Sequence, residues 1–114
     1  MQLHNILIRR ILREAIGKRA SRYITGKVID IGCGDMPYKD MLSPLVAEHI
    51  GVDHYETIHN KESINIYGTA YDIPVKAGSF DSALCTEVLE HLEEPAKAIS
   101  RQKPLENVIY LANR

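Results

Sequence analysis

The sequence is poor in the features that mark secreted, membrane-spanning or metal-organised proteins. Its 114 residues hold two cysteines, Cys33 and Cys85, and neither stands in a Cys-x-x-Cys pair. That argues against a disulfide framework and a cysteine-based zinc site, so no metal is expected. No apolar run approaches the roughly 20 residues needed to cross a bilayer. Arg9 and Arg10 interrupt the stretch from Ile6 to Leu12, so the opening segment lacks the apolar core of a signal peptide. Internal repeats and low-complexity tracts are missing too. These absences lead to the expectation of a soluble cytoplasmic protein with reduced thiols.

What is present has the composition of a globular domain, 25% charged and 45% hydrophobic, on a chain long enough for one modest core. The net charge of -1 hides an asymmetry. Arg9, Arg10, Arg13, Lys18, Arg19, Arg22 and Lys27 face only Glu14 in the first 27 residues, about +6 against about -7 for the remainder. Such a segment suits a membrane surface, a nucleic acid or an acidic partner, or is simply a solvated helix face. Nothing beyond its charge points to nucleic acid.

Leu3, Ile6, Leu7, Ile11, Ala15 and Ile16 recur at helical spacing, which predicts one basic amphipathic helix over 2–22 and a first unit of residues 1–24. Residues 25–114 then alternate between strand and helix patterns. Val28 to Ile31 is a β-branched strand ending in a glycine turn, and Pro37 is placed to open a short helix that Pro44 ends. Further strands are predicted at 48–52, 66–70, 80–86 and 108–111, with a helix from Pro95 to about Gln102. Residues 54–63 fit a short helix or a loop. The pattern predicts an α/β fold, an open, mostly parallel sheet flanked by helices that binds its ligand at the carboxyl ends of the strands.

Four groups of residues stand at those ends. Gly32 and Gly34 allow a ligand close to the backbone, and the helix after them would offer N–H groups to an anion. Asp30 could accept hydrogen bonds from an ammonium group. Asp53 ends the next strand, where a carboxylate can take both hydroxyls of a ribose, although a helix cap uses the same residue type. Asp72 and Ile73 could read the amino edge of an adenine, or merely form a turn before Pro74. The last group is Ser79-Phe-Asp-Ser-Ala-Leu-Cys-Thr-Glu-Val-Leu-Glu-His-Leu92.

Taken together, 28–100 resembles the class I methyltransferases, and within them the type 11 methyltransferase domain. The shared marks are an acid-x-Gly-x-Gly turn, an acid ending strand two, an acid after strand three followed by proline, and a Phe-Asp strand running into Glu-Val-Leu-Glu-His. The resemblance implies a Rossmann-like sheet and S-adenosyl-L-methionine as cofactor. Asp30, Gly32, Cys33 and Gly34 would hold its methionine end, Asp53 the ribose, Asp72 and Ile73 the adenine, and Glu87 would lie beside the methionine portion. His91 would face the catalytic mouth, unless it only caps its own short helix. The acceptor would be a small molecule or glycan-like, and only if it must lose a proton is a general base needed, for which His91, Glu87 and Tyr38 are the candidates.

One departure concerns Met36, where many relatives have glycine. Because the residue before a proline is pushed toward extended geometry, Met36 is expected at negative φ. A second departure is that the Arg-Val-Leu-Lys-Pro-Gly-Gly turn of relatives is replaced by Ser100-Arg-Gln-Lys-Pro-Leu-Glu-Asn. The sheet is therefore expected to be incomplete relative to the seven-stranded methyltransferase fold. A truncated cofactor-binding remnant without activity is the alternative, and Val108 to Leu111 would pair with strand four or with a second copy in a homodimer. A nicotinamide-dinucleotide binder is the third reading. Against it, Pro37 stands where that fingerprint wants its last glycine.

Overall fold

The computed structural model describes residues 3–54, 62, 64–76, 78–86, 92–102 and 108–111. In chain order the elements are α1 (Leu3–Tyr23), β1 (Gly26–Ile31), α2 (Lys39–Leu42), β2 (Val46–Asp53), β3 (Ile66–Tyr67), β4 (Ser82–Thr86), α3 (Pro95–Gln102) and β5 (Val108–Leu111). All five strands run parallel in the order β3-β2-β1-β4-β5. The chain builds outward from β1 through β2 to β3, then crosses back to lay β4 on the other side of β1. Strand order therefore reverses at β1, which puts the fold's ligand crevice beyond the carboxyl ends of β1 and its neighbours.

Strand alternation gives the sheet two distinct faces. Ile29, Ile31, Val52, Ala83 and Cys85 pack with Ala70, Phe80 and Ala98 of α3 on one side. On the other, Val28 and Leu84 meet Ile16 and Ala20 of α1, Ile24, Tyr38 and Leu42 of α2. Each fully buried Ile, Leu or Val adds about 1.5–3 kcal/mol of transfer free energy, so both layers hold the sheet. The expected 108–111 strand exists and pairs with β4 in parallel, Ala83 opposite Val108 and Thr86 opposite Leu111.

In α1 the buried positions are Ile16 and Ala20, whereas Leu3, Ile6, Leu7 and Ile11 are exposed. The sheet is too short to reach the first turns of a 21-residue helix. Among the described residues no helix is long and apolar enough to cross a membrane. Strand β3 is two residues long where five were expected, because Gly68 N–H turns inward to the carbonyl of Asp53 at 3.0 Å and the chain closes a tight loop, with Thr69 bridging Asp72.

A second difference is sharper. Met36 has φ +53°, in the left-handed region, against the negative φ expected of a residue before proline. It is the hinge between two successive turns: its N–H donates to the Cys33 carbonyl at 2.8 Å, and its own carbonyl accepts from Lys39 N–H at 3.1 Å. Its side chain is buried. Two backbone bonds and that burial offset the roughly 1–2 kcal/mol that a Cβ costs in this conformation. Nor does Pro37 open the helix: α2 begins at Lys39 with Tyr38 at its N-cap.

Candidate functional site at the strand tips

The turn after β1 is built on the end of β2. Gly32, at φ +68°, and Cys33 both donate N–H to the carbonyl of Val52, at 2.8 and 3.0 Å. Gly34, at φ +52°, donates N–H to Asp53 Oδ2 at 3.0 Å, while Asp53 Oδ1 accepts from His54 N–H at 2.8 Å. A carboxylate with two backbone donors keeps further lone pairs for a ligand, since its oxygens offer about four acceptor sites. The donors of the turn are thus spent on β2, and α2, starting at Lys39, does not supply the helix N-terminus that the sequence suggested beside Gly34.

Asp30 lies one residue before the end of β1, opposite Gly51 of β2 and Leu84 of β4. Its Oδ2 is 2.9 Å from His49 Nε2, and the two side chains are 3% and 6% exposed. Burial pushes the Asp30 carboxyl up from the usual range, the His49 hydrogen bond and charge pull it back, and the nearby Asp53 raises it again. The Cys33 thiol is pushed up to about 12, first by burial and then by the charges of Asp30 and Asp53. A thiol held there carries no nucleophilic chemistry near neutral pH. Its sensitivity to both carboxylates places Asp30, Asp53 and Cys33 in one neighbourhood.

The Asp72 loop joins them through β2. Gly68 is bonded to the Asp53 carbonyl, and the loop folds back on it so tightly that a Cβ at Gly68 would press on Pro74 and on the Asp72 carbonyl. Asp72 itself is exposed, its N–H held by Thr69, and Ile73 packs against the apolar core. Tyr71 Oη accepts from Glu94 N–H at 3.0 Å, which ties this loop to the start of α3. Asp30, Asp53 and Asp72 therefore stand at the same edge of three adjacent parallel strands, in the order β1, β2, β3.

Of the remaining sequence-predicted residues, Glu87 and His91 lie outside the described residues. Tyr38, a candidate proton acceptor, is buried in the α1 and α2 cluster with the Arg13 guanidinium 5.9 Å from its ring centroid, a structural position. Arg13 also donates to the Pro37 carbonyl at 3.0 Å, so the basic helix braces the turn. A groove of about 530 Å³ beside α1 is lined by Ile6, Arg9, Arg13 and Met41, among others, and by none of the three acids. His49 went unnoticed in the sequence. Its signal was its place four residues before Asp53, which alternation puts on the same face of β2.

Among the described residues no cluster of His, Cys, Asp and Glu could hold a metal ion. The donor set instead suits an organic ligand with a cationic end and vicinal hydroxyls: two buried carboxylates, a third at the rim, and bare glycine backbone between them.

Known proteins are similar to this chain in sequence and in fold. Residues 29–103 match the family described as "Methyltransferase domain". A ubiquinone biosynthesis O-methyltransferase of Paraburkholderia phymatum is 33% identical over 95 residues, covering 73% of this chain and 41% of that protein. One of Acinetobacter baumannii is 29% identical over 97 residues, covering 74% and 40%. The chain spans about two fifths of the length of these curated relatives. Among solved structures, the YcgJ protein of Bacillus subtilis superposes with a TM-score of 0.63 at 27% identity, over 78% of this chain and 43% of that one. A SAM-dependent methyltransferase of Thermotoga maritima has the same fold, with a TM-score of 0.67 at 23% identity over 91% and 53%. Matched across most of its sheet and through the glycine turn and the acids that surround it, the chain belongs to the methyltransferase domain family.

Proposed function

We propose that this chain is the cofactor-binding part of an S-adenosyl-L-methionine-dependent methyltransferase, with residues 25–114 as the cofactor domain and 1–24 as a basic helix in front of it. The observation that carries the reading is the convergence of Asp30, Asp53 and Asp72 with the Gly32–Gly34 turn on one sheet edge. When bound, the cofactor supplies an activated methyl group, so the protein's task is binding and alignment. Asp53 would take the ribose hydroxyls, Asp72 and Ile73 the adenine, and Asp30, Gly32, Cys33 and Gly34 the methionine end, with Glu87 beside it.

The relatives' names motivate a hydroxyl on a small molecule as the methyl acceptor, a glycan-like hydroxyl being the other member of that class. His91 would receive the hydroxyl's proton. Binding without turnover by these residues alone is the second reading, and transfer of a labelled methyl group separates the two. A chain with only two cysteines and no Cys-x-x-Cys pair suits a cytoplasmic location. The outer edge of β5 would serve a homodimer, which sedimentation reads directly.

Titration calorimetry tests the cofactor assignment. S-adenosylmethionine and S-adenosylhomocysteine should bind and NAD should not. Binding of NAD alone would overturn the reading.

A further inference from the structure

The cofactor reading uses Asp30 but leaves its buried partner unexplained. His49 Nε2 is 2.9 Å from Asp30 Oδ2, and the ring's other nitrogen, Nδ1, is buried with no hydrogen-bond partner among the described residues. An orphaned buried ring nitrogen loses its hydrogen bond to water and gains none, so a histidine used only as filler would be a poor choice here. A lone buried carboxylate is costlier still, and proteins neutralise or pair such groups. A proton shared within the pair, giving it no net charge, is the least expensive state of the ligand-free protein.

Among the described residues His49 is the cationic partner of Asp30, and Arg13 of α1 is turned to the Pro37 carbonyl instead. From β2, Asp53 adds a second negative charge, and the turn contributes Cys33 and, next to it, Asp35. On the same face of the sheet, Val28 and Leu84 pack with Ile16 and Ala20 of α1, Tyr38 of the turn and Leu42 of α2, an uncharged cluster. Alternation puts Lys27 and Glu48, which pair with each other at 3.7 Å, on the opposite face of the sheet.

We propose that His49 is a positioning residue for the methionine end of the site: it holds the Asp30 carboxylate beneath the glycine turn and keeps a proton there, which leaves to solvent when the ligand's ammonium takes its place. The exchange balances, one cation replacing another against the same carboxylate. It rests on the S-adenosylmethionine reading. Cofactor binding then tightens as pH rises, by about tenfold per pH unit where the pair is protonated in the free protein.

The test is calorimetry of the full chain with S-adenosylhomocysteine, which has the ammonium without the sulfonium charge, between pH 6 and 8 in buffers of different ionisation enthalpy. Up to one proton should be released per ligand bound, and the ring nitrogen resonances of His49 should move to the neutral form on saturation. His49→Gln should abolish the release. His54→Gln should keep it, since His54 is exposed and stands 3.9 Å from Asp53 rather than at Asp30. If His49→Gln does not fold, Asp30→Asn, which retains an acceptor for Nε2–H, should abolish the release instead. Binding without proton exchange, or exchange that survives His49→Gln and disappears in His54→Gln, overturns the proposal while leaving the cofactor reading intact. No binding at any pH removes both.

Discussion

The buried part of the sheet face that meets α3 is apolar, from Ile29 and Ala83 to Ile31, Val52 and Cys85. The face under α1 and α2 starts in the same way, with Val28 and Leu84 against Ile16 and Leu42, and then turns polar toward the strand tips with Asp30, His49 and Asp53. Both faces are buried, yet only this one has charged side chains held out of water; Lys27 and Glu48, on the α3 face, stay half exposed. The apolar face returns stability for every residue it orders. The other holds two carboxylates out of water, an arrangement that costs stability and is useful only when something cationic or hydroxyl-rich meets them.

The largest effect that would sharpen the contrast is on the apolar face. Ile29→Ala should lower unfolding stability by about 2–5 kcal/mol, read as a shift in urea midpoint at unchanged slope. On the polar face, Asp53→Ala should weaken S-adenosylhomocysteine binding by about tenfold to a hundredfold, the worth of a charge-assisted hydrogen bond pair. A change within twofold, measured by calorimetry on the folded variant, would mean that Asp53 serves only to staple the Gly34 turn.

The hinge at Met36 allows a cleaner measurement. Met36→Gly and Met36→Ala remove nearly the same side chain, so their difference isolates the backbone. Glycine should be the more stable by about 1 kcal/mol if φ is positive there. Equal melting temperatures would argue for an extended backbone.

The smallest effect tests the cost of the carboxylates. Asp30 has its carboxyl pushed up in the folded protein above its ordinary value of 3.8, mainly by burial, so folding favours its protonated form. The stability it contributes is complete below about pH 3.8 and is lost as pH rises through the higher, folded value. Asp30→Asn should therefore gain in Tm on the parent protein as pH rises from the ordinary aspartate range through the higher, folded value. A parallel pair of stability curves across that range would contradict the assignment.

Much of the site was legible from local pattern. A β-branched strand running into Gly-Cys-Gly, and acids at the ends of successive strands, can be read residue by residue because each is a property of a few neighbours. The extents of α1 and α3 were legible for the same reason, since periodicity and an opening proline are local. What misled was also local reasoning. Proline at 37 pushes Met36 toward extended geometry, but two turn hydrogen bonds and a buried side chain outweigh that preference. The short helix after the turn was placed two residues early by the same proline. Leu3, Ile6, Leu7 and Ile11 have helical spacing, yet spacing alone does not say how far along the helix the sheet reaches.

By itself the chain's order of residues determined which segments become strands and helices, and which acids end those strands. Only the assembled sheet decided that His49 would meet Asp30. The two are diagonal neighbours on adjacent strands, 19 positions apart in sequence, and which residues meet across a sheet depends on register. Register is set by the packing of both faces together, a sum over distant residues that no short stretch of sequence contains.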